Sequence, residues 1–290
     1  MIYQHRMLEE VLLNYLNIFP VIGLTGPRQS GKSTLLRHIL PDYQYVTFDD
    51  YRMINLFQQD PFRFLDLYPK HTIFDEVQKV PELFNYIKMA VDNNRMEKGQ
   101  YILIGSSQFT LMKNISESLA GRIGLLSLLP FQCSEMPVAL RLQSIFLGGY
   151  PELVQREFAY SNAWYDAYIE TYIHKDVAQL GHVGDLRDFR RLLNLLAANT
   201  SQILNMSRFA NDLGVDVKTI KRWVSILEAS YIIFLLPPFY ENFGKRIIKS
   251  PKVYFYDTGM VSFLTGIETL KMYEQGPMAG AIFENYQNAA

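Results

Sequence analysis

The stretch Pro20-Val-Ile-Gly-Leu-Thr25, followed by Gly26-Pro-Arg-Gln-Ser-Gly31-Lys32-Ser33, decides the fold. Its first six residues are a short apolar run that stops at a glycine, which reads as a buried strand. The next eight match the glycine-rich phosphate-binding pattern Gly-x4-Gly-Lys-Ser/Thr. From Lys32 to Leu40 the apolar residues return at helical spacing, and Pro41 ends the helix. Strand, glycine loop and helix are the context the pattern needs. The glycines let backbone N–H groups wrap phosphates, and the helix N-terminus adds partial positive charge. The expected cofactor-binding set is Gly26, Gln29, Ser30, Gly31, Lys32, Ser33 and Thr34. Lys32 is expected to reach the β- and γ-phosphates of ATP, and the Ser33 hydroxyl to ligate Mg2+. The bland alternative is a glycine-rich turn carrying a stray lysine.

Outward from this loop, short apolar runs alternate with helical patterns. An opening amphipathic helix is expected over Leu8 to Leu16, and further strands over Tyr45–Phe48, Thr72–Phe74, Tyr101–Ile104 and Gly124–Leu129. A helix is expected from Pro81 to Val91. Alternation of this kind calls for an α/β fold, a parallel sheet with helices on both faces.

Thr72-Ile-Phe-Asp75-Glu76 is an apolar strand ending in a carboxylate pair, 42 positions after Ser33. Asp75 is the expected Mg2+ ligand, and Glu76 the base that orients and deprotonates the attacking water. A solvated strand end is the plain alternative. ATPases with a base after the metal carboxylate place the next strand, Tyr101–Ile104, between the other two. Its tip, Ser106 or Ser107, would then face the γ-phosphate, Ser106 as a catalytic sensor, unless a serine there only caps a helix. Arg122, in Leu119-Ala-Gly-Arg122, is a candidate for stabilising γ-phosphoryl charge in cis or from a neighbouring subunit of an oligomer. An ordinary surface arginine is the other reading.

The chain has 290 residues, 49% apolar and 20% charged, with a net charge of −1 and a pI near 6.5. A packed core of two domains fits, and no global field advertises nucleic acid or membrane. The single cysteine, Cys133, excludes an internal disulfide, and the five histidines form no ligand-spaced pair. No run approaches the ~20 residues a spanning helix requires, and the N-terminus carries acids where a signal peptide needs an apolar stretch. A cytoplasmic protein is expected.

The C-terminal half reads differently. Ala163–Asn199 is helical with a break at Gly181–Gly184, and Ser207–Glu228 forms two short helices about Gly214. Asp216 is placed to cap the second helix, with Val217, Ile220, Val224 and Leu227 on one face and Lys218, Lys221 and Arg222 off it. A hairpin leading into a helix is expected over Lys245 to Phe263, making a winged helix-turn-helix. Between Ser207 and Lys252 eight basic residues face four acidic ones. Lys218 and Lys221 would contact phosphates of duplex DNA, and Arg222 a phosphate or a base edge. A protein-contact or lid role is the alternative.

Taken together, LTGPRQSGKSTLL, IFDEVQKVPELF, ILIGSSQF, SLAGR, FLGGYPE, YIETYIHKDV and KRIIKSPKVYFYDTGMVSFLTG are similar to a prokaryotic AAA-type P-loop ATPase family. In that family a winged-helix region of uncharacterised function and a nuclease-like domain follow the ATPase domain. The resemblance raises Arg122 to a γ-phosphate contact and makes Gln78 a polar neighbour of the site. It implies residues 1–137 as ATPase domain, 138–200 as helical connector, 201–270 as winged helix-turn-helix and 271–290 as the start of a truncated C-terminal domain. Two departures stand out: Lys175 replaces the family's usual arginine, and the chain stops at Ala290 instead of running on after Gly280–Tyr286.

The leading expectation is an ATP-hydrolysing switch or motor acting on DNA or a DNA-associated partner. The alternative is a low-turnover signalling or protein-interaction module with ATP as a latch. A small-molecule kinase is disfavoured, since the helix-turn-helix has no place in it.

Overall fold

In the computed structural model, which describes residues 3–105, 115, 117–173, 186–239 and 250–289, five parallel strands form one sheet. They are β1 (Val21–Thr25), β2 (Gln44–Thr47), β3 (Thr72–Asp75), β4 (Tyr101–Ile104) and β5 (Ile123–Ser127), in the order β2-β3-β4-β1-β5. The expected strand order holds: β4 pairs with both β1 and β3, and so lies between the glycine-loop strand and the carboxylate strand.

Period-two alternation sorts the strands' side chains onto two faces. Ile22, Leu24, Ile73, Ile102 and Ile104 point to the face covered by α1 (Leu8–Leu16) and α2 (Lys32–Ile39). Val21, Phe74, Tyr101 and Leu103 point to the other, against α3 (Tyr51–Gln59), α4 (Pro61–Leu67) and α5 (Leu83–Asn93). All five residues of β1 are buried. Both sheet faces are covered, so the strands read as near-continuous apolar runs, as parallel sheets do. Asp50 and Asp60 cap α3 and α4 through the amides of Arg52 and Arg63.

The chain divides into two compact units, Tyr3–Leu129 and Pro130–Ala290. The second unit has one core. It gathers Tyr150, Leu153 and Tyr165 with Leu192, Leu196, Phe209, Trp223, Leu227, Phe255, Val261 and Ile282. The expected connector, helix-turn-helix and C-terminal start therefore pack as one body. Its helices are α6 (Arg141–Leu147), α7 (Pro151–Gln155), α8 (Ser161–Tyr168) with a π turn at Ile169–Ile173, and α9 (Leu186–Ala198). α10 (Met206–Leu213), α11 (Val217–Ala229), α12 (Thr258–Thr265), α13 (Leu270–Gln275) and α14 (Ala279–Ala289) follow. Lys175 and the glycine break at 181–184 lie outside the described residues.

Gly214, left-handed at φ 70°, ends α10, and Asp216 caps α11 by accepting from the Thr219 amide at 2.6 Å. The apolar face is shifted from the expected one: Val217 is exposed, while Trp223 and Ile226 are buried. The hairpin is also displaced. Its strands are β6 (Ile233–Leu236) and β7 (Lys252–Phe255), antiparallel, so the apolar run after Tyr231 supplies the first strand. Lys245, Arg246 and Lys249 lie outside the described residues. Lys252 is paired with Glu284 at 2.8 Å.

α14 joins this core through side chains that read backbone. Asn285, fully buried, accepts from the Phe255 amide at 2.8 Å and donates to the Phe255 carbonyl at 2.7 Å. Thr200 donates a third bond to it at 2.6 Å. Asp257, also buried, caps α12 through the Met260 amide, accepts from Gly149 N at 2.7 Å and from the Tyr165 hydroxyl at 2.6 Å. Removing a buried hydrogen-bonded group leaves its partners unsatisfied. Asn285→Ala should lower unfolding free energy by about 1–3 kcal/mol, since three partners are orphaned. Urea denaturation checks this.

Candidate nucleotide and metal site

The loop between β1 and α2 is shaped by two left-handed glycines. Gly26 has φ 131°, and a Cβ there would meet the Leu128 carbonyl oxygen at 2.2 Å. Only glycine fits. Gly31, at φ 93°, caps α2 and directs the first helical amides toward the loop. Gln29, also left-handed at φ 61°, is exposed at the loop, and Thr34 is exposed on the first turn of α2. Ser30 is buried, and its hydroxyl makes no hydrogen bond among the described residues. The buried Arg6 braces the loop, donating to the Ser30 carbonyl at 3.0 Å and to the Leu129 carbonyl at 2.6 Å.

Lys32 is buried, and its ammonium donates to the carbonyls of Gly26 at 2.9 Å and Pro27 at 2.7 Å. Burial lowers its pKa to about 8, against the opposing pull of Glu76 and Asp75. The Ser33 hydroxyl lies 3.4 Å from Asp75 Oδ2. Asp75 Oδ1 accepts from the Glu76 amide at 2.9 Å.

Glu76 sits in the left-handed region, at φ 56° and ψ 39°, on the first residue beyond β3. A non-glycine residue held there costs about 1–3 kcal/mol and persists only where its surroundings fix it. Burial, with Asp75 next in effect, pushes its carboxyl above the usual range, and Arg28 works against that. Gln78 Nε2 donates to Glu76 Oε2, so this glutamine is a direct neighbour of the carboxylate. Nearby, Lys79 pairs with Asp49 at 2.6 Å.

The fold thus gathers Lys32, Ser33, Asp75 and Glu76 at one sheet edge. A hydroxyl and one carboxylate suit Mg2+, which takes few protein ligands and relies on phosphates and water for the rest. A loop held open by Gly26, with a buried Ser30 hydroxyl that makes no hydrogen bond among the described residues, suits phosphate oxygens.

Arg122 is not gathered with them. Its carbonyl accepts from the amide of Val21, the first residue of β1, whereas the phosphate loop follows the last. Five residues at about 3.3 Å each put it roughly 15 Å away, at the opposite sheet edge. Its guanidinium forks onto Asp92, Nε to Oδ1 at 2.7 Å and Nη2 to Oδ2 at 2.9 Å. Of the readings expected for Arg122, a contact with its own chain's γ-phosphate does not fit this placement, while an ordinary surface arginine and a contact from a neighbouring subunit both do. Ser106 and Ser107 lie outside the described residues.

Sequence reading passed over Tyr45, whose hydroxyl donates to Asp75 Oδ2, and Arg6, the loop brace. Period-two alternation places Tyr45 on the face of Thr47, which pairs with Asp75, but only once the β2–β3 register is known. Arg6 carries no local signal. In the second unit Lys218, Lys221 and Arg222 are all exposed on α11.

Comparison with known proteins agrees with this geometry. Residues 19–137 match the family described as AAA domain, and residues 140–271 match one described as a domain of unknown function. Uncharacterized proteins of Mycobacterium bovis and Mycobacterium tuberculosis are each 32% identical over 288 residues, 99% of this chain. The chain spans 65% of the length of each. A Walker-type ATPase of Pyrococcus abyssi has the same fold at 16% identity, with a TM-score of 0.63 over 91% of this chain and 96% of that one. No helix among the described residues is long and apolar enough to cross a membrane. Residues 19–137 thus match the AAA domain family and have the fold of a Walker-type ATPase, and behind them residues 140–271 match a domain family of unknown function.

Proposed function

We propose that this chain binds ATP with Mg2+ and hydrolyses it, as a switch or motor acting on duplex DNA or on a DNA-associated partner. The observation that carries the ATP part is the convergence of Lys32, Ser33, Asp75 and Glu76 at the end of β1 and β3. The amides at the start of α2 receive the phosphates, and Lys32 exchanges its two carbonyl partners for β- and γ-phosphate oxygens. Ser33 and Asp75 would hold the metal ion, which when bound neutralises charge on the phosphate oxygens. Glu76 orients a water and accepts its proton as the water oxygen bonds to the γ-phosphorus and the bond to ADP's terminal oxygen breaks. A carboxyl raised by burial is a better base than an exposed one. Arg122, at the far sheet edge, is available only to the triphosphate of a neighbouring copy.

The DNA part rests on α11. Its exposed Lys218, Lys221 and Arg222 lie on one short stretch of helix, and such cations suit approach to a phosphate backbone. Lys252 does not add to this surface, because Glu284 neutralises it.

Lys32→Ala should weaken ATP binding by about 10- to 100-fold, the worth of one or two charge-assisted hydrogen bonds, measured by calorimetry. Glu76→Gln should leave ATP affinity unchanged and lower turnover by about 100- to 10,000-fold, the range of one lost general base. Full function in the cell without turnover would instead fit a latch. Replacing Lys218, Lys221 and Arg222 together by alanine should weaken duplex binding and flatten the log-affinity against log-salt plot by about 2.7, about 0.9 for each phosphate contact. An unchanged slope removes DNA from the reading.

A further inference from the structure

Both oxygens of the Asp75 carboxylate receive donors from its own domain. Oδ1 accepts from the Glu76 amide at 2.9 Å, and Oδ2 accepts from the Tyr45 hydroxyl. Donors on opposite oxygens fix both the position and the plane of a carboxylate, and Oδ1, with one donor, keeps a lone pair free. The Ser33 hydroxyl donates to the same Oδ2 at 3.4 Å. The phenol and the serine hydroxyl therefore meet on one oxygen of the carboxylate that would ligate Mg2+.

The placement follows from sheet geometry. In the parallel β2–β3 pair, Tyr45 stands opposite Ile73 and Thr47 opposite Asp75. Tyr45 and Asp75 share a face one pleat apart, a diagonal that an aromatic side chain spans and a shorter one does not. The ring is held in turn by Arg37, whose guanidinium carbon lies 4.0 Å from the ring centroid. Arg37 is one turn beyond Ser33 on α2, so the helix that bears the hydroxyl ligand also steadies the tyrosine.

We propose that Tyr45 is a positioning residue for the metal: it holds Asp75 in the orientation that receives Mg2+ and thereby sets the metal affinity of the nucleotide complex. This rests on the ATP–Mg2+ reading above. Hydrogen-bond partners of metal-ligating carboxylates commonly tune metal affinity by about 10- to 100-fold. Tyr45 touches neither the loop's amides nor Lys32 in any hydrogen bond among the described residues, so nucleotide affinity without metal should not depend on it.

The test is a fluorescent ATP analogue bound first in EDTA and then across a Mg2+ titration, on the whole chain. Tyr45→Phe should bind the analogue in EDTA as the parent does, while its Mg2+ midpoint rises by about 10-fold or more. Arg37→Met should move the midpoint the same way by about threefold, the size of an exposed cation–π contact. Equal thermal midpoints check that both variants fold, and if Tyr45→Phe does not, Arg37→Met carries the test. An unchanged Mg2+ midpoint in both variants overturns the proposal, as does a lowered one, which would make the hydroxyl a competitor of the ion. Equal weakening in EDTA and in Mg2+ also overturns it, since that marks a purely structural tyrosine. If the parent binds no analogue under any condition, the ATP reading itself falls, a result distinct from all of these.

Discussion

A buried ammonium is unstable unless dipoles or charges surround it, and the phosphate loop is built about that requirement at Lys32. The carbonyls of Gly26 and Pro27 take its protons, and the charges of Asp75 and Glu76 oppose the penalty of burial. Those carbonyls stand where they do because Gly26 has a backbone shape only glycine adopts, pressed against Leu128. The two acids stand where they do because β3 is two strands from β1 in a sheet covered on both faces. Fold and site are one constraint. A phosphate that draws Lys32 off its carbonyls would replace neutral dipoles with charge, and that difference would add to the binding supplied by the α2 amides.

Much of this was legible in the sequence because it is local. The loop, its flanking strand and helix, the carboxylate pair and the glycine turn before α11 each depend on neighbours within a few residues. Capping by Asp216 is a three-residue event, and it appears as expected. What was illegible depends on register or distance. Tyr45 reaches Asp75 only through the β2–β3 pairing, and Arg6 reaches Leu129 across 123 positions. For Arg122 the sequence left cis and trans open, because spacing alone does not say which end of the sheet faces the phosphate loop. In a parallel sheet, a residue before β5 and a loop after β1 lie at opposite edges.

The second unit shows the same limit. Lys252 counted toward a basic patch until Glu284, 32 positions later, proved to pair with it. The hairpin's first strand was overlooked because Ile233–Leu236 is a short apolar run followed by two prolines, without alternation to mark it. α14 belongs to this core, since buried Asn285 completes the hydrogen bonding of Phe255 much as a neighbouring strand would. The exposed cations that remain on the described surface of α11 are Lys218, Lys221 and Arg222.

A crystal structure of the chain with a non-hydrolysable ATP analogue and Mg2+ tests the central claim most directly. The account predicts Lys32 Nζ on β- and γ-phosphate oxygens and off the carbonyls of Gly26 and Pro27. It also predicts Ser33 and Asp75 at the ion, directly or through water, and Glu76 facing the γ-phosphorus. An analogue bound away from the loop, or an ion bound without Asp75, would contradict it.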